Sequence, residues 1–298
     1  MRAIHCPTIP VTADLFTVAT SPMPIVSRMM AMLAWHFHNA LVMYSAPFKC
    51  FRSQLGMPKS ILQIPVTQTT QVPCRAMDIN QSTNDGQAQI LENLLAQANL
   101  GDPTDNPSVV DIRGHVILVH GDLSTAEHLE GIWASHAIEI KPIQRLQYPV
   151  FIMGLFHYQM ACADAIWWMY IKPKSLRSGP NSLYQQACSI RPHDSGRIAS
   201  KPGFHLMHDL IHQCAHAWML DCWRVEVAKR DHAVQSLELF AAKEPSWQEI
   251  VMLSQQLAME YLNRDTAVDT EFGNNTVILA RLLQYLEVCH ATKHGDIG

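Results

Sequence analysis

Two stretches near the middle of the chain repeat one pattern, a short apolar run, a glycine and then a longer stretch with helical spacing. The first run covers residues 116–120 and stops at Gly121 and Asp122. A run of this length is too short for a buried helix and is typical of a strand covered on both faces. The spacing of Ser124 and Glu127 then predicts a capping box at the start of a helix.

The second copy of the pattern lies at residues 149–153, which form the apolar run, followed by Gly154. Helical spacing then continues to residue 171 and ends before Pro173, as expected because proline cannot continue a helix. Two successive strand-helix units place neighbouring parallel strands side by side through right-handed crossovers. The sequence therefore predicts an α/β fold with a partial parallel or mixed sheet.

Asp122 and His157 each come just past the end of a predicted strand. In open α/β sheets the ligand crevice lies beyond the carboxyl ends of the strands, so these side chains are expected at the same edge. We interpret them as candidate catalytic residues. The alternative is structural, in which Asp122 caps a turn and His157 satisfies a loop carbonyl.

The predicted second helix contains one acid, Asp164, between residues 158 and 171. The other side chains there are so apolar that the helix should be enclosed on most faces. A buried carboxylate needs a partner or a raised pKa. Because Asp164 follows His157 by two helical turns, the two are predicted to form a His–Asp pair, which is either structural or catalytic.

A basic, loop-rich stretch follows at residues 172–201. Its candidate nucleic-acid-binding residues are Lys172, Lys174, Arg177, Arg191, Arg197 and Lys201. These cations are expected either to contact phosphates beside the strand-end site or to form a solvated basic loop.

The chain beyond Pro202 has helical spacing throughout, which predicts a mainly α-helical C-terminal half. Residues 23–44 are apolar over the length of a membrane span but include Arg28 and His36, so we predict a buried amphipathic helix and no membrane partner. These patterns divide the chain into an N-terminal segment (1–46) with one apolar helix, an α/β core (47–201) and a helical region (202–298).

A stripe of histidines runs along one face of the first C-terminal helix, at His205, His208, His212 and His216. Imidazoles at this spacing bind zinc when a further ligand joins them. Cys214 and Asp209 lie on other faces, however, and 16 histidines in the chain make a chance cluster easy. A second metal site at His208, His212 and His216 is therefore an alternative interpretation.

Composition limits the classes of protein that remain. The 298 residues are 48% apolar and 16% charged, with a net charge of −4, which predicts a globular domain without a strongly basic surface. The eight cysteines are scattered, and no secretory signal precedes them, so reduced thiols in the nucleus or cytoplasm are expected rather than secretion. No Walker loop, dinucleotide fingerprint or nucleophile elbow is present.

Several motifs in order resemble one family. They are "IPVTQTTQVPCRAMDINQSTNDG", "VHGDLST", "FIMGLFHYQMACADAIWWMY", "IRPHDSGRIASKPGFHLMHDLIH", "LDCW" and "KHGDIG". Over residues 47–298 the chain resembles the domain of unknown function 6589 of basidiomycete fungi, whereas the first 45 residues do not. The resemblance implies a protein derived from a DNA transposon, with a ribonuclease-H-like core and nucleic acid as its partner.

The resemblance also implies a role for Asp122. A core of this type holds Mg²⁺ or Mn²⁺ between carboxylates and catalyses phosphodiester cleavage or strand transfer. Longer relatives carry further acids upstream and downstream that this chain lacks, so we expect a fragment or a decayed copy that is inactive by itself. The rival interpretations are a domesticated structural or protein-binding module and a helical zinc-binding domain.

Overall fold

The computed structural model describes residues 25–58, 68, 70–262 and 270–295. The helices are α1 (Ile25–Tyr44), α2 (Asn84–Ala98), α3 (Leu123–Ser135), α4 (Leu155–Tyr170), α5 (Leu183–Ile190), α6 (Ser195–Ser200), α7 (Phe204–Arg230), α8 (Leu237–Ala241), α9 (Trp247–Leu262) and α10 (Thr270–His294). The strands are β1 (Leu100–Gly101), β2 (Val110–Asp111), β3 (Ile117–Gly121) and β4 (Pro149–Met153). Short 3-10 helices cover Ala46–Ser53, Lys174–Leu176 and Pro192–Asp194. The predicted α/β class with a mainly helical C-terminal half is confirmed.

The chain divides into two compact units, each built from two separate stretches of sequence. Unit 1 comprises Met1–Lys59 and Ala215–Leu283, and unit 2 comprises Ser60–Cys214 and Gln284–Gly298. The division at residues 46 and 201 stays a prediction, and residues 1–24 of its first segment lie outside the described residues.

Unit 1 contains the apolar helix predicted over residues 23–44. Helix α1 packs against α9, and the side chain of Phe37 is fully buried. The Trp223 indole donates a hydrogen bond to the Phe37 carbonyl (2.9 Å), and His38 Nδ1 lies 3.0 Å from Ser254 Oγ. Burial lowers the pKa of His38 to about 4. No helix in the described ranges is both long and apolar enough to cross a membrane.

Unit 2 contains the two predicted strand-helix units. Strands β3 and β4 pair in parallel from Ile117 opposite Pro149 to Gly121 opposite Met153, and helices α3 and α4 follow them. Strands β1 and β2 form a second, shorter parallel pair. A buried apolar cluster lies beside these strands and is formed by Ala88, Leu95, Ile112, Ile132, Leu146 and Tyr148.

Two predictions of burial in unit 2 are wrong. Strand β3 is not covered on both faces, because α3 packs on one side and alternate side chains such as Leu118 (56% exposed) point the other way. Helix α4 is also not enclosed on most faces, since Phe156 and Trp168 are each more than half exposed. Its buried side chains, Ala163, Ile166 and Trp167, form a single stripe.

Candidate functional site

Asp122 lies directly after Gly121, the last residue of β3, and is the N-cap of α3. Its half-buried carboxylate accepts two hydrogen bonds at Oδ1, from the Thr125 backbone N–H and from the Thr125 hydroxyl, each 2.9 Å long. The capping box predicted at Ser124 and Glu127 is wrong, because α3 already begins at Leu123. Asp122 is its N-cap and accepts the hydrogen bond from the Thr125 backbone N–H.

The carboxylate of Asp122 is held in its ionised form. The hydrogen bonds from the backbone and then the hydroxyl of Thr125 lower the pKa of Asp122 below its ordinary value, and electrostatic interaction with His157 lowers it further. His157 lies in the first turn of α4 and is exposed. The structure therefore places Asp122 and His157 close together, at the sheet edge where the sequence predicts them.

Glycines at the two strand ends leave room for the side chains of Thr125 and His157. A Cβ on Gly121 would lie 2.6 Å from the Thr125 hydroxyl, so a larger residue would displace the group that holds Asp122. A Cβ on Gly154 would lie 3.3 Å from His157 Cδ2 and 3.5 Å from the Gly121 carbonyl. The Gly154 N–H also donates to that carbonyl at 3.1 Å, which joins the two strand ends.

Asp164 does not belong to this edge. It is exposed on α4, and its Oδ2 accepts a hydrogen bond from the Trp168 indole at 3.0 Å. It follows His157 by seven positions along the helix, a rise of about 10 Å. The prediction that Asp164 is buried is therefore wrong, because the apolar composition of a helix does not reveal which of its faces the neighbouring elements cover.

The stretch predicted as a basic loop is largely helical, since it contains α5 and α6. Arg177 has a structural role there. Its guanidinium donates to the carbonyls of Ile171 (2.6 Å), Lys172 (2.8 Å) and Ala199 (2.7 Å). These bonds satisfy carbonyls at the ends of α4 and α6, so Arg177 is a poor candidate for binding phosphate.

The other predicted phosphate contacts differ in their surroundings. The Lys172 ammonium lies over the Trp168 ring, Arg191 contacts Gln213 and Asp209, and Arg197 contacts Asp194. Lys174 and Lys201 are exposed, and within the described part of the chain no side-chain partner is found for either. These two lysines are therefore the most accessible of the six predicted cations.

The histidine stripe meets a cysteine from another helix. His208 and His212 lie on α7 with ring centroids 4.5 Å apart, and Cys289 lies on α10. One potential ligand atom from each residue lies within 4.8 Å of the other two. His208 Nδ1 is also 2.8 Å from the hydroxyl of Tyr285, which is buried. All four residues belong to unit 2.

The third residue of this cluster is thus Cys289 rather than His216. The ring of His216 lies against Tyr44 (centroids 4.3 Å apart), and both residues belong to unit 1. Cys214 is buried on α7 and is not part of the cluster, and Cys289 is not predicted from the sequence because the packing of α7 against α10 is tertiary. The i, i+4 spacing of Tyr285 and Cys289 was the one local signal, since it places both on one helical face.

Two cavities of unit 2 lie at the opposite end of the sheet from Asp122. One has a volume of about 340 Å³ and includes Val116, which precedes β3. The other has a volume of about 370 Å³. Tyr148, which precedes β4, lines both. Neither cavity therefore forms a pocket over Asp122 and His157.

Comparison with known proteins identifies a family but no characterised relative. A model described as "Family of unknown function (DUF6589)" matches residues 16–298. The match begins at residue 16, so the prediction that the first 45 residues lie outside the family is wrong for residues 16–45. No curated protein and no solved structure matches the chain.

Proposed function

We propose that this chain, which belongs to the DUF6589 family, is a nucleic-acid-processing domain derived from a ribonuclease-H-like transposase. The observation that supports it is the position of an ionised carboxylate, Asp122, and an imidazole, His157, just beyond the carboxyl ends of two parallel strands. This edge of an α/β sheet is where ligands bind. Nucleic acid is the proposed ligand, and the fungal transposon origin is part of the proposal.

The donor set at this edge fits one Mg²⁺ or Mn²⁺ ion but not two. Mg²⁺ is commonly bound by one or two carboxylates together with water and substrate phosphates. Asp122 supplies one carboxylate, whose Oδ1 is engaged by Thr125, and Asp164 lies elsewhere on α4. Two-metal cleavage needs ions held between several carboxylates. We therefore propose that the chain by itself binds nucleic acid at this edge without cleaving it.

A manganese titration tests the proposed ion site. Asp122→Asn removes the charge while keeping an amide oxygen that caps a helix almost as well as Asp. In calorimetry with duplex DNA present, we expect this variant to bind Mn²⁺ at least tenfold more weakly, a difference of about 1.4 kcal/mol. The matched control, Asp164→Asn, should bind as the wild type does. Equal affinity of the wild type and Asp122→Asn would refute the site.

The salt dependence of DNA binding tests the proposed partner. Each phosphate contact contributes about 0.9 to the slope of log affinity against log salt concentration. Neutralising the exposed Lys174 and Lys201 should reduce that slope by about 1.8 if both contact phosphates. Lys243→Gln is the control, because Lys243 belongs to unit 1 and pairs with Asp231. Binding that is absent or independent of salt would contradict the proposal.

A structural module is the second candidate function. It is favoured by the two hydrogen bonds that Asp122 accepts from Thr125, since a helix cap alone accounts for an acid at this position. The manganese titration separates the two candidates, because a pure cap predicts no ion binding that depends on the charge of Asp122.

A further inference from the structure

We propose that His208, His212 and Cys289 form a zinc site with one coordination position left open. The site goes beyond the proposed function and does not depend on it, since none of the three residues contributes to the strand-end pair. Zinc bound by three protein ligands with water in the fourth position is an established arrangement. The cluster joins two helices, α7 and α10, within unit 2.

The distances within the cluster are close to those of a tetrahedral zinc site. Zn–N bonds of about 2.0–2.1 Å and Zn–S bonds of about 2.3 Å place ligand atoms about 3.3–3.6 Å apart. The three candidate atoms already lie within 4.8 Å of one another. A contraction of at most about 1.5 Å would bring them to these separations, and side-chain rotations of three half-buried residues are the movement it requires.

The chemistry of the donors selects the class of metal. Two imidazoles and a thiolate suit zinc and related transition metals, whereas Mg²⁺ and Mn²⁺ prefer oxygen ligands. The cluster should therefore discriminate against the ions proposed for Asp122. Cobalt occupies the same kind of site and makes thiolate ligation visible, because its bond to sulfur produces a charge-transfer absorption band.

Tyr285 is the positioning residue of this site. Its hydroxyl lies 2.8 Å from His208 Nδ1 and accepts a hydrogen bond when that nitrogen carries the proton. In that tautomer Nε2 is the nitrogen through which we propose that His208 binds the metal. Imidazole ligands of metals generally donate their second N–H to such a partner, which fixes the tautomer and the ring orientation. Tyr285 is 2% exposed, so its own position is fixed by packing.

Phe204 links this cluster to the strand-end site within unit 2. Its ring contacts His208, with centroids 5.6 Å apart, and Phe156, with centroids 5.2 Å apart. Phe156 precedes His157 in the first turn of α4. The proposed zinc site is therefore one aromatic ring away from the residue that precedes His157.

Cobalt and zinc titrations of the full chain test the proposal. We expect one Zn²⁺ per chain in competition with a chromophoric chelator, and a thiolate-to-cobalt band with Co²⁺. Cys289→Ser should abolish the band and weaken zinc binding at least about 100-fold, because losing an outer hydrogen bond alone costs about 10- to 100-fold. Tyr285→Phe should weaken zinc binding about tenfold and keep the band.

Matched controls come from the same histidine stripe. His205→Gln and His216→Gln alter histidines of α7 that lie outside the cluster, so both should retain the band and the zinc affinity. Circular dichroism of each metal-free variant checks that it is folded. Absence of the thiolate-to-cobalt band in the wild-type protein would overturn the proposed site. Its retention in Cys289→Ser or its loss in His216→Gln would overturn it equally.

Discussion

Substitutions at Asp122 separate its role as a helix cap from its charge. Asp122→Ala removes the oxygen that accepts both bonds from Thr125, and loss of an N-cap costs about 0.5–2 kcal/mol, typically about 1. Asp122→Asn keeps an acceptor and should cost only a few tenths of a kcal/mol. A loss of about 1 kcal/mol corresponds to about fivefold more frequent opening of the first turn of α3.

Hydrogen exchange followed by mass spectrometry measures this opening in a peptide that covers α3. We expect exchange about fivefold faster in Asp122→Ala and nearly unchanged in Asp122→Asn at neutral pH. Because the folded pKa of Asp122 is lowered, its ionised carboxylate stabilises the fold above the unfolded pKa, and that contribution is lost as the pH falls through the folded pKa. Equal exchange in Ala and Asn variants would refute the capping argument.

Three further predictions concern stability. Arg177→Gln removes a half-buried guanidinium that donates to three carbonyls, so urea denaturation should show a free energy of unfolding lower by about 1.5–3 kcal/mol. The control Lys174→Gln changes an exposed side chain and should leave this free energy unchanged. Equal losses in the two variants would contradict the prediction. Ile132→Ala should cost about 2–5 kcal/mol in the same assay and Leu118→Ala under about 0.5, because Ile132 is fully buried and Leu118 is not. Burial lowers the pKa of His38 from 6.5 to about 4, so the free energy of unfolding should decrease as the pH falls from 6.5 to 4, because the unfolded chain takes up the proton first. The variant His38→Gln should show a smaller decrease. A pH profile that is the same in His38→Gln and the wild type would contradict this prediction.

The strand-helix units could be predicted from the sequence because their signals are local. The apolar runs end at Gly121 and Gly154, and the structure ends β3 at Gly121 and β4 one residue before Gly154. Asp122 and His157 lie at the same edge because parallel pairing brings equivalent strand ends together. The position of a residue relative to a strand end depends on the nearby sequence, so this part of the site could be predicted.

The parts that could not be predicted depend on tertiary packing. Asp164 lies in an apolar stretch, but a helix buries only the stripe that its neighbours cover, and here that stripe leaves Asp164 exposed. Cys289 is equally invisible from sequence, because its distance from His212 depends on how α7 and α10 pack. Sequence periodicity shows which residues share a helical face, but it does not show which other element packs against that face.

The two candidate sites of unit 2 differ in the hardness of their donors, and this difference keeps them chemically independent. Asp122 offers a carboxylate oxygen, which suits Mg²⁺ or Mn²⁺, whereas Cys289 with two imidazoles suits zinc. They are nevertheless close in the fold, because Phe204 contacts both His208 and the residue before His157. One ion cannot satisfy both donor sets, so a chain that binds manganese through Asp122 and zinc through Cys289 must hold them at separate places. Loss of either ion should then leave the ligands of the other intact.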